Sequence, residues 1–153
     1  GQVIGELESV SMDRIINVVI ENFEYAEQEG IAYFSKLPDM PEARCDPIRI
    51  LKVWQNMIAN SIKFRDTKNP VIIKFGGEES RDTVKFWIRD NGPGIIAEHQ
   101  DKVFETNARL NYDVEGYGFG LATVKKIIAA HGGNIWIDSE VKDGACFVFE
   151  LPR

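Results

Sequence analysis

Segments with a helical spacing of apolar residues alternate along the chain with short apolar runs typical of strands. Apolar side chains recur at helical intervals over residues 12–28, and Ser11 is placed to cap that helix. A second amphipathic pattern covers 47–64 and begins with an Asp-Pro pair, which is a helix-start signal. A third follows a glycine-rich stretch over 118–133. The pattern therefore predicts three main helices.

Strand patterns fill much of the remaining chain. The five runs predicted as strands are 31–37, 70–77, 82–90, 134–138 and 145–152. The second and third runs are separated by a polar turn, as are the last two, so each pair is expected to be antiparallel. Residues 38–46 are predicted to be a connecting loop and 97–105 a short helical piece, whereas 106–117 show no clear period.

The mixture of helices and antiparallel strands predicts an α/β two-layer sandwich. In such a fold, a mixed, mostly antiparallel sheet is covered by helices on one face only. The length of 153 residues and the hydrophobic fraction of 44% suit one domain with a substantial core.

The composition indicates which partners are disfavoured and which cellular compartment is expected. The net charge of −6 makes free nucleic acid a poor partner, because nucleic acid requires a basic surface. Cys45 and Cys146 have neither metal-site spacing nor a disulfide framework, so a reducing cytoplasm is expected. No apolar run reaches the ~20 residues of a membrane span, so this domain is expected to make no membrane contact. The full-length protein can still carry a membrane anchor elsewhere.

The helix predicted over 47–64 carries a polar stripe of Asn56, Asn60 and Lys63, which fall within ~60° of its wheel. A solvated face explains many such stripes, but asparagine is a poor helix former. An amide oxygen is a good neutral ligand for a hard cation such as magnesium, and Lys63 is within reach of a phosphate. The stripe alone leaves both interpretations open.

The stretch RDNGPGI places an acid, a bend and two glycines at the end of a predicted strand. In the simplest interpretation, Asp90 opens a turn, since Asp and Gly are common turn residues. In the functional interpretation, the Asp90 carboxylate accepts a hydrogen bond from an exocyclic amine such as that of adenine. Gly92 and Gly94 would then let the base lie close to the backbone.

Gly116, Gly118 and Gly120 alternate just before the third helix. Backbone N–H groups at a helix start favour phosphate, and glycine allows a close approach. The spacing is not that of a Walker loop, and the run does not follow a parallel strand as in a dinucleotide fold. A flexible hinge is the alternative for this run alone. Together, the three segments predict a nucleotide held by its base, its metal and its phosphates.

Four segments in this order resemble the sequence boxes of the catalytic, ATP-binding domain of two-component sensor histidine kinases. QNMIANSIKF is similar to the N box, DNGPGI to the first glycine box, VFE to the phenylalanine box and GYGFGLATVKKIIAAHGG to the second glycine box. The resemblance runs from Ser11 to the C-terminal hairpin. It implies the Bergerat sandwich fold, with ATP and Mg²⁺ as cofactors.

The resemblance also implies roles for individual residues. Asn60 is expected to bind magnesium and Lys63 to lie near the phosphates, so these two are the candidate catalytic residues. Asn56 is expected to contact the nucleotide, and Asp90 to read adenine. The other nucleotide-binding residues implied are Phe64, Gly92, Gly94, Ile95, Phe104, Arg109, Gly116, Gly118, Gly120 and Leu121.

Within that set, Phe104 is expected to begin a lid spanning about 105–117, with Arg109 near the phosphates. The chain departs from the family pattern at Ser61, where alanine is usual, and at Phe119, where leucine is usual.

The activity implied is transfer of the ATP γ-phosphoryl group to a histidine on a separate dimerisation domain, with a response regulator downstream. The acceptor motif of the family is absent, and of the two histidines in the chain, His131 is expected to cap a helix. Residues 1–10 are expected to be the trailing end of the upstream dimerisation helix or a linker, and 11–153 the catalytic domain.

Other functions on this fold are a hydrolytic Bergerat ATPase, a serine kinase of the anti-sigma type and a nucleotide-sensing scaffold. The hydrolytic ATPases use a glutamate near the metal asparagine to activate water. No acid occurs between Leu51 and Arg65, which disfavours hydrolysis. All the expected ligands are present, which disfavours the scaffold, but the sequence barely separates the serine kinase from the histidine kinase.

Overall fold

The computed structural model describes residues 4–105 and 117–153 of the chain. The strands are β1 (Glu8–Ser11), β2 (Ala32–Lys36), β3 (Glu42–Cys45), β4 (Val71–Glu79), β5 (Thr83–Asp90), β6 (Asn134–Ile137) and β7 (Cys146–Pro152). The helices are α1 (Met12–Glu21), α2 (Glu24–Gln28), α3 (Pro47–Lys63) and α4 (Tyr117–Ala130), with short 3₁₀ turns at Ala97–His99 and Lys102–Phe104.

A five-stranded sheet in the order β2-β4-β5-β7-β6 forms one layer of the domain. The β2–β4 pair is parallel, whereas the β4–β5, β5–β7 and β6–β7 pairs are antiparallel. The mixed, mostly antiparallel sheet predicted from the sequence is therefore confirmed.

The hydrophobic core lies between this sheet and the helices. Along β4, β5 and β7, alternate residues point to the helix side, where Trp54 of α3 is fully buried. The indole packs edge-on against Phe75, Phe86 and Phe149, with ring centroids 5.8, 6.2 and 5.2 Å away. Its Nε1–H points at the sulfur of Met12 on α1, at 3.1 Å. One face of α3 is thus anchored in the core, which leaves its other face for function.

The N-terminus of α3 is fixed by the capping residue that the sequence predicted. The Asp46 Oδ1 atom accepts hydrogen bonds from the backbone N–H groups of Ile48 and Arg49, at 3.0 and 3.3 Å. Its Oδ2 atom accepts a third, from the Gly5 N–H at 2.7 Å. These bonds satisfy donors that a helix start leaves without partners.

His131 has the capping role predicted for it and also joins two helices. Its Nδ1–H donates to the Ile127 carbonyl near the end of α4, at 2.8 Å. Its Nε2 accepts the backbone N–H of Asp46, at 3.0 Å. The end of α4 is therefore tied to the start of α3, which fixes the relation between the two helices.

Two expectations about the N-terminal third were wrong or incomplete. The helix predicted over 12–28 is broken at Asn22 and Phe23, although its apolar period continues across the break. The predicted loop 38–46 contains β3, which pairs antiparallel with β1 in a separate two-stranded sheet. Residues 8–10 of the predicted linker lie within β1, and the domain boundary itself stays a prediction.

In the part of the chain that the structure describes, no helix combines the length and the apolar character needed to cross a bilayer.

The Asp46 carboxyl is held in its charged form. Burial acts to raise its pKa, but hydrogen bonds from Gly5, Arg49 and Ile48 and the Arg49 guanidinium outweigh burial. The net effect lowers the pKa below its ordinary value of 3.8. A carboxyl with a lowered folded-state pKa stabilises the fold above the unfolded pKa, and that contribution is lost as pH falls through the folded value.

We therefore expect Asp46→Asn to reduce the free energy of unfolding at pH 7 by about 1 kcal/mol. This is roughly the difference between hydrogen bonds to charged and to neutral acceptors. Urea denaturation of both proteins between pH 7 and pH 3 checks this. The difference should shrink as pH falls below about 3.8, the ordinary pKa of the aspartate carboxyl. An undiminished difference across that range would contradict the charge-based account.

Candidate functional site

A pocket opens where α3, the bend after β5, the start of α4 and the loop before β7 meet. It contains about 420 Å³ of empty space. Its lining residues are Asn60, Ser61, Phe64, Asp90, Pro93, Gly94, Ile95, Leu121, Ala145 and Phe147. The three segments that the sequence analysis singled out therefore converge on one cavity.

The Asp90 carboxylate, only 9% exposed, is the polar anchor of the pocket. Its Oδ1 atom accepts the backbone N–H groups of Gly92 and Ala145, at 2.9 and 3.2 Å. Its Oδ2 atom accepts the Ser61 hydroxyl, at 3.1 Å. A carboxylate offers about four acceptor positions, so the bonds from the described residues leave one position on Oδ2 for a ligand.

Two glycines let the backbone close tightly beneath Asp90. Gly144 has φ +143°, and a Cβ added there would overlap the Asp90 carbonyl oxygen. Gly94 has φ +77°, and a Cβ there would lie 2.9 Å from the Gly144 carbonyl oxygen. Both positions require glycine, because an L side chain is disfavoured at such φ values and has no room here.

The polar face of α3 meets the start of α4. The Asn56 Nδ2 group donates to the Gly120 carbonyl at 3.3 Å. One turn later, the Asn60 Nδ2 atom is buried and has no hydrogen-bond partner among the residues that the structure describes. A buried amide group without a partner costs free energy, so Asn60 is prepared for a ligand.

Apolar side chains form the walls of the pocket. Phe64, Ile95, Leu121 and Phe147 line it. Phe104 is buried and is not among the lining residues; it packs edge-on against Phe147, with ring centroids 5.9 Å apart. Flat apolar walls around one buried acceptor suit an aromatic heterocycle with an amino group.

The family of this chain follows from a sequence comparison. The model of the histidine kinase-, DNA gyrase B-, and HSP90-like ATPases matches residues 45–153. The chain belongs to this ATPase family. Its fold is the one that the sequence boxes implied.

The relatives of this chain include a sensory kinase. The chain is 34% identical to the phytochrome-like protein Cph1 of Synechocystis sp. over 96% of its own length. It is 40% identical to the adaptive-response sensory kinase SasA of Gloeothece citriformis over 74%. It spans only 20% and 29% of those two proteins.

A solved catalytic domain has the same architecture. The catalytic domain of histidine kinase ThkA superposes with a TM-score of 0.83 at 27% identity, covering 97% of this chain and 96% of that one. ThkA has also been solved in complex with the response regulator protein TrrA. The chain is therefore an ATP-binding catalytic domain of the histidine-kinase type.

The remaining predicted site residues that the structure describes are not among those that line the pocket. Lys63 is exposed at the end of α3 and is not among the lining residues, and Gly92 lies in the bend beside the pocket. Gly118 belongs to the first turn of α4. Arg109 and Gly116 lie outside the described residues, as does most of the predicted lid.

Four lining residues were not among the predicted site residues: Ser61, Pro93, Ala145 and Phe147. Ser61 was visible only as a departure from the family pattern. Ala145 and Phe147 come from a strand more than 50 residues beyond Asp90, and the pairing of β5 with β7 brings them to the pocket. The only sequence feature that indicated their position was the apolar run after a Lys-Asp-Gly turn, which predicts a strand but not a pocket.

Neither cysteine offers a nucleophile. Cys45 and Cys146 are buried free thiols. Burial is the main cause that raises the pKa of Cys45 to about 12 and that of Cys146 to about 11. Both stay protonated at neutral pH, so they contribute packing and not thiolate chemistry.

The glycine at 144 should be indispensable for nucleotide binding. We expect Gly144→Ala to weaken ATP binding at least tenfold, because the new methyl group pushes the Asp90 bend out of place. Gly30→Ala is the matched control, since Gly30 has φ +69° but open space, with the nearest atom at 3.7 Å. Backbone strain should cost each variant about 1 kcal/mol of stability, and Gly144→Ala should lose more, because its methyl group also overlaps the Asp90 carbonyl oxygen.

Isothermal titration with Mg²⁺ and ATP, at a temperature where both variants remain folded, makes the comparison. Unchanged ATP affinity in folded Gly144→Ala protein would contradict the role given to this contact.

Proposed function

We propose that this domain delivers the γ-phosphoryl group of ATP to a histidine on a separate dimerisation domain. One observation carries the proposal, and it concerns the described residues. The buried Asp90 carboxylate is held there by three donors and has one acceptor position left, in the same cavity as Asn60, whose Nδ2 atom has no partner among those residues. Such a pocket can hold adenine at one end and the metal-bound phosphates at the other.

The adenine end is proposed to be read by Asp90. The free acceptor position on Oδ2 matches the donor of the adenine 6-amino group. Ile95, Leu121 and Phe147 would contact the faces and edges of the base. Gly94, which has no side chain, would let the backbone approach the base closely. Binding energy from the base then positions the distant phosphates, which is how remote contacts assist a reaction.

The residues at the other end fit a magnesium ion. Turning the Asn60 amide over would present its oxygen, which is a ligand type that magnesium favours. Among the described residues, no group of three His, Cys, Asp or Glu side chains could form a metal cage. An ion held chiefly by ATP phosphates would take Asn60 as its protein ligand. When bound, the ion would neutralise charge on the phosphates.

The rest of the phosphate site is proposed from α3 and α4. Lys63, one turn after Asn60 on α3, would approach the phosphates. Asn56 contacts the backbone at Gly120, and backbone N–H groups at the start of α4 would bind phosphate oxygens. Phosphoryl transfer depends mainly on positioning and charge neutralisation, so these groups suffice without a nucleophile from this domain.

The acceptor histidine is proposed to lie on a partner domain. Both ring nitrogens of His131 are engaged, by Ile127 and by Asp46, and the residue is only 7% exposed. A histidine in that position cannot approach the γ-phosphate. The ThkA complex supports a response regulator as the later recipient of the phosphoryl group.

A hydrolytic ATPase is the second candidate, and α3 argues against it. The helix carries no Asp or Glu from Pro47 to Lys63. No carboxylate on this helix is therefore available beside Asn60 to activate water. A serine kinase of the anti-sigma type shares the same pocket and differs only in its acceptor, so the transfer assay below separates it.

Removal of the Asn60 amide should abolish the contribution of magnesium to ATP affinity. We expect Asn60→Ala to weaken ATP binding at least tenfold with Mg²⁺ and much less with EDTA, because only the metal-dependent part is lost. Gln55→Ala, an exposed change on the same helix, should leave both affinities unchanged. Titration calorimetry in the two buffers provides the measurement. Equal losses with and without the metal would argue against Asn60 as its ligand.

The isolated chain should bind ATP without labelling itself. Addition of a histidine-bearing dimerisation domain, with γ-labelled ATP, should yield an acid-labile, base-stable phosphohistidine on the added domain. Transfer to a serine in an anti-sigma-type partner would favour the serine kinase. Steady phosphate release by the isolated chain would favour the hydrolytic ATPase.

A further inference from the structure

Ser61 lines the pocket beside Asp90, and the sequence analysis gave it no role. It is only 7% exposed, and its side chain faces Asp90 from the neighbouring helix α3. A buried serine hydroxyl in a helix often bonds its own backbone. This one is instead bonded across the pocket lining, to a carboxylate on another element.

The hydroxyl proton of Ser61 is committed to Asp90. Its Oγ lies 3.1 Å from Oδ2, and a carboxylate has no proton to give in return. The serine oxygen therefore keeps only lone pairs to offer a ligand. Oδ2 likewise has only a lone pair free. These two side chains present acceptors alone to a base that enters the pocket.

We propose that Ser61 sets the base selectivity of this site by locking the Asp90 corner as acceptor-only, so that 6-amino purines are accepted and 6-oxo purines rejected. The inference rests on the proposed reading of adenine by Asp90. Ser61 is a positioning residue here, because it acts through the Asp90 carboxylate.

A 6-oxo purine is disfavoured because it would place an acceptor against acceptors. Its carbonyl oxygen is an acceptor, so it would meet the lone pairs of Asp90 and Ser61. The hydroxyl can turn to donate to that oxygen only by abandoning Asp90, which leaves a buried carboxylate position unsatisfied. Rejection through buried unpaired polar groups is the strong form of selectivity.

Without the Ser61 hydroxyl, Asp90 Oδ2 loses this hydrogen bond. Ser61→Ala opens space beside Oδ2 that a water molecule can fill, since the site is polar. Water carries two protons, so one can stay on Asp90 while the other is donated to a 6-oxo group. We therefore expect Ser61→Ala to bind ITP relatively better, with the ratio of ATP to ITP affinity falling about fivefold to tenfold.

The test measures ATP and ITP affinities, with Mg²⁺, for the unaltered chain, Ser61→Ala and Ser61→Thr. Threonine keeps the hydroxyl, so Ser61→Thr should keep the affinity ratio even if its extra methyl group weakens both nucleotides. A merely structural role for Ser61 would weaken ATP and ITP alike in Ser61→Ala, and an unchanged ratio there would overturn the proposal. If Ser61→Ala does not fold, Ser61→Cys, with its weaker donor, should lower the ratio in the same direction.

Failure of this inference is distinguishable from failure of the proposed function. An unaltered chain that binds ATP no better than ITP would show that Asp90 does not read the base, so the proposed reading of adenine and the role of Ser61 would both fall, whereas phosphoryl transfer would still be tested by the labelling assay. An unaltered chain that prefers ATP, beside a Ser61→Ala variant with the same preference, would remove only the role of Ser61.

Discussion

The buried carboxylate of Asp90 is the constraint on which the rest of the site depends. A largely buried charge needs donors, and among the described residues three donors reach it, from α3, from the bend after β5 and from the residue just before β7. Each donor fixes one wall of the pocket relative to the others. The arrangement that satisfies the charge is therefore the same one that shapes the cavity, so fold and site are coupled through a single group.

Helix α3 serves the core and the site with opposite faces. Trp54 and its aromatic neighbours hold the helix on the sheet, and His131 fixes its N-cap residue, Asp46, to the end of α4. The opposite face can then place Asn56 and Asn60 against the start of α4 without further support. It matters that α3 holds these amide groups rigidly, because phosphoryl transfer depends more on the position of the ligating groups than on reactive side chains.

The sequence predicted the parts of the fold that local patterns determine. The bounds of α3 followed from the Asp-Pro start and the apolar period, and the hairpin of β4 and β5 followed from alternation around a polar turn. The pairing of β1 with β3 was missed because it joins segments over 30 residues apart and has no local signal. The break at Phe23 was missed because the apolar spacing stays in phase across it.

In the site, too, residues with a local sequence signal were predicted, and residues that depend on tertiary pairing were missed. Asp90 and the asparagines were found because their residue types are unusual where they stand, and the resemblance assigned their roles. Ser61 and Ala145 donate to Asp90 from distant parts of the chain, and Gly144 matters only because β5 and β7 bring it under the bend. Such contacts depend on tertiary pairing, which no spacing along the chain reveals.

The central claim is that the free acceptor position on Asp90 binds the amino group of adenine. A crystal structure of this domain with Mg²⁺ and a non-hydrolysable ATP analogue tests it most directly. The account predicts the adenine 6-amino nitrogen within about 2.7–3.2 Å of Asp90 Oδ2, with the Ser61 and Ala145 bonds retained. A base bound elsewhere, or an Asp90 carboxylate turned out to water in the complex, would contradict it.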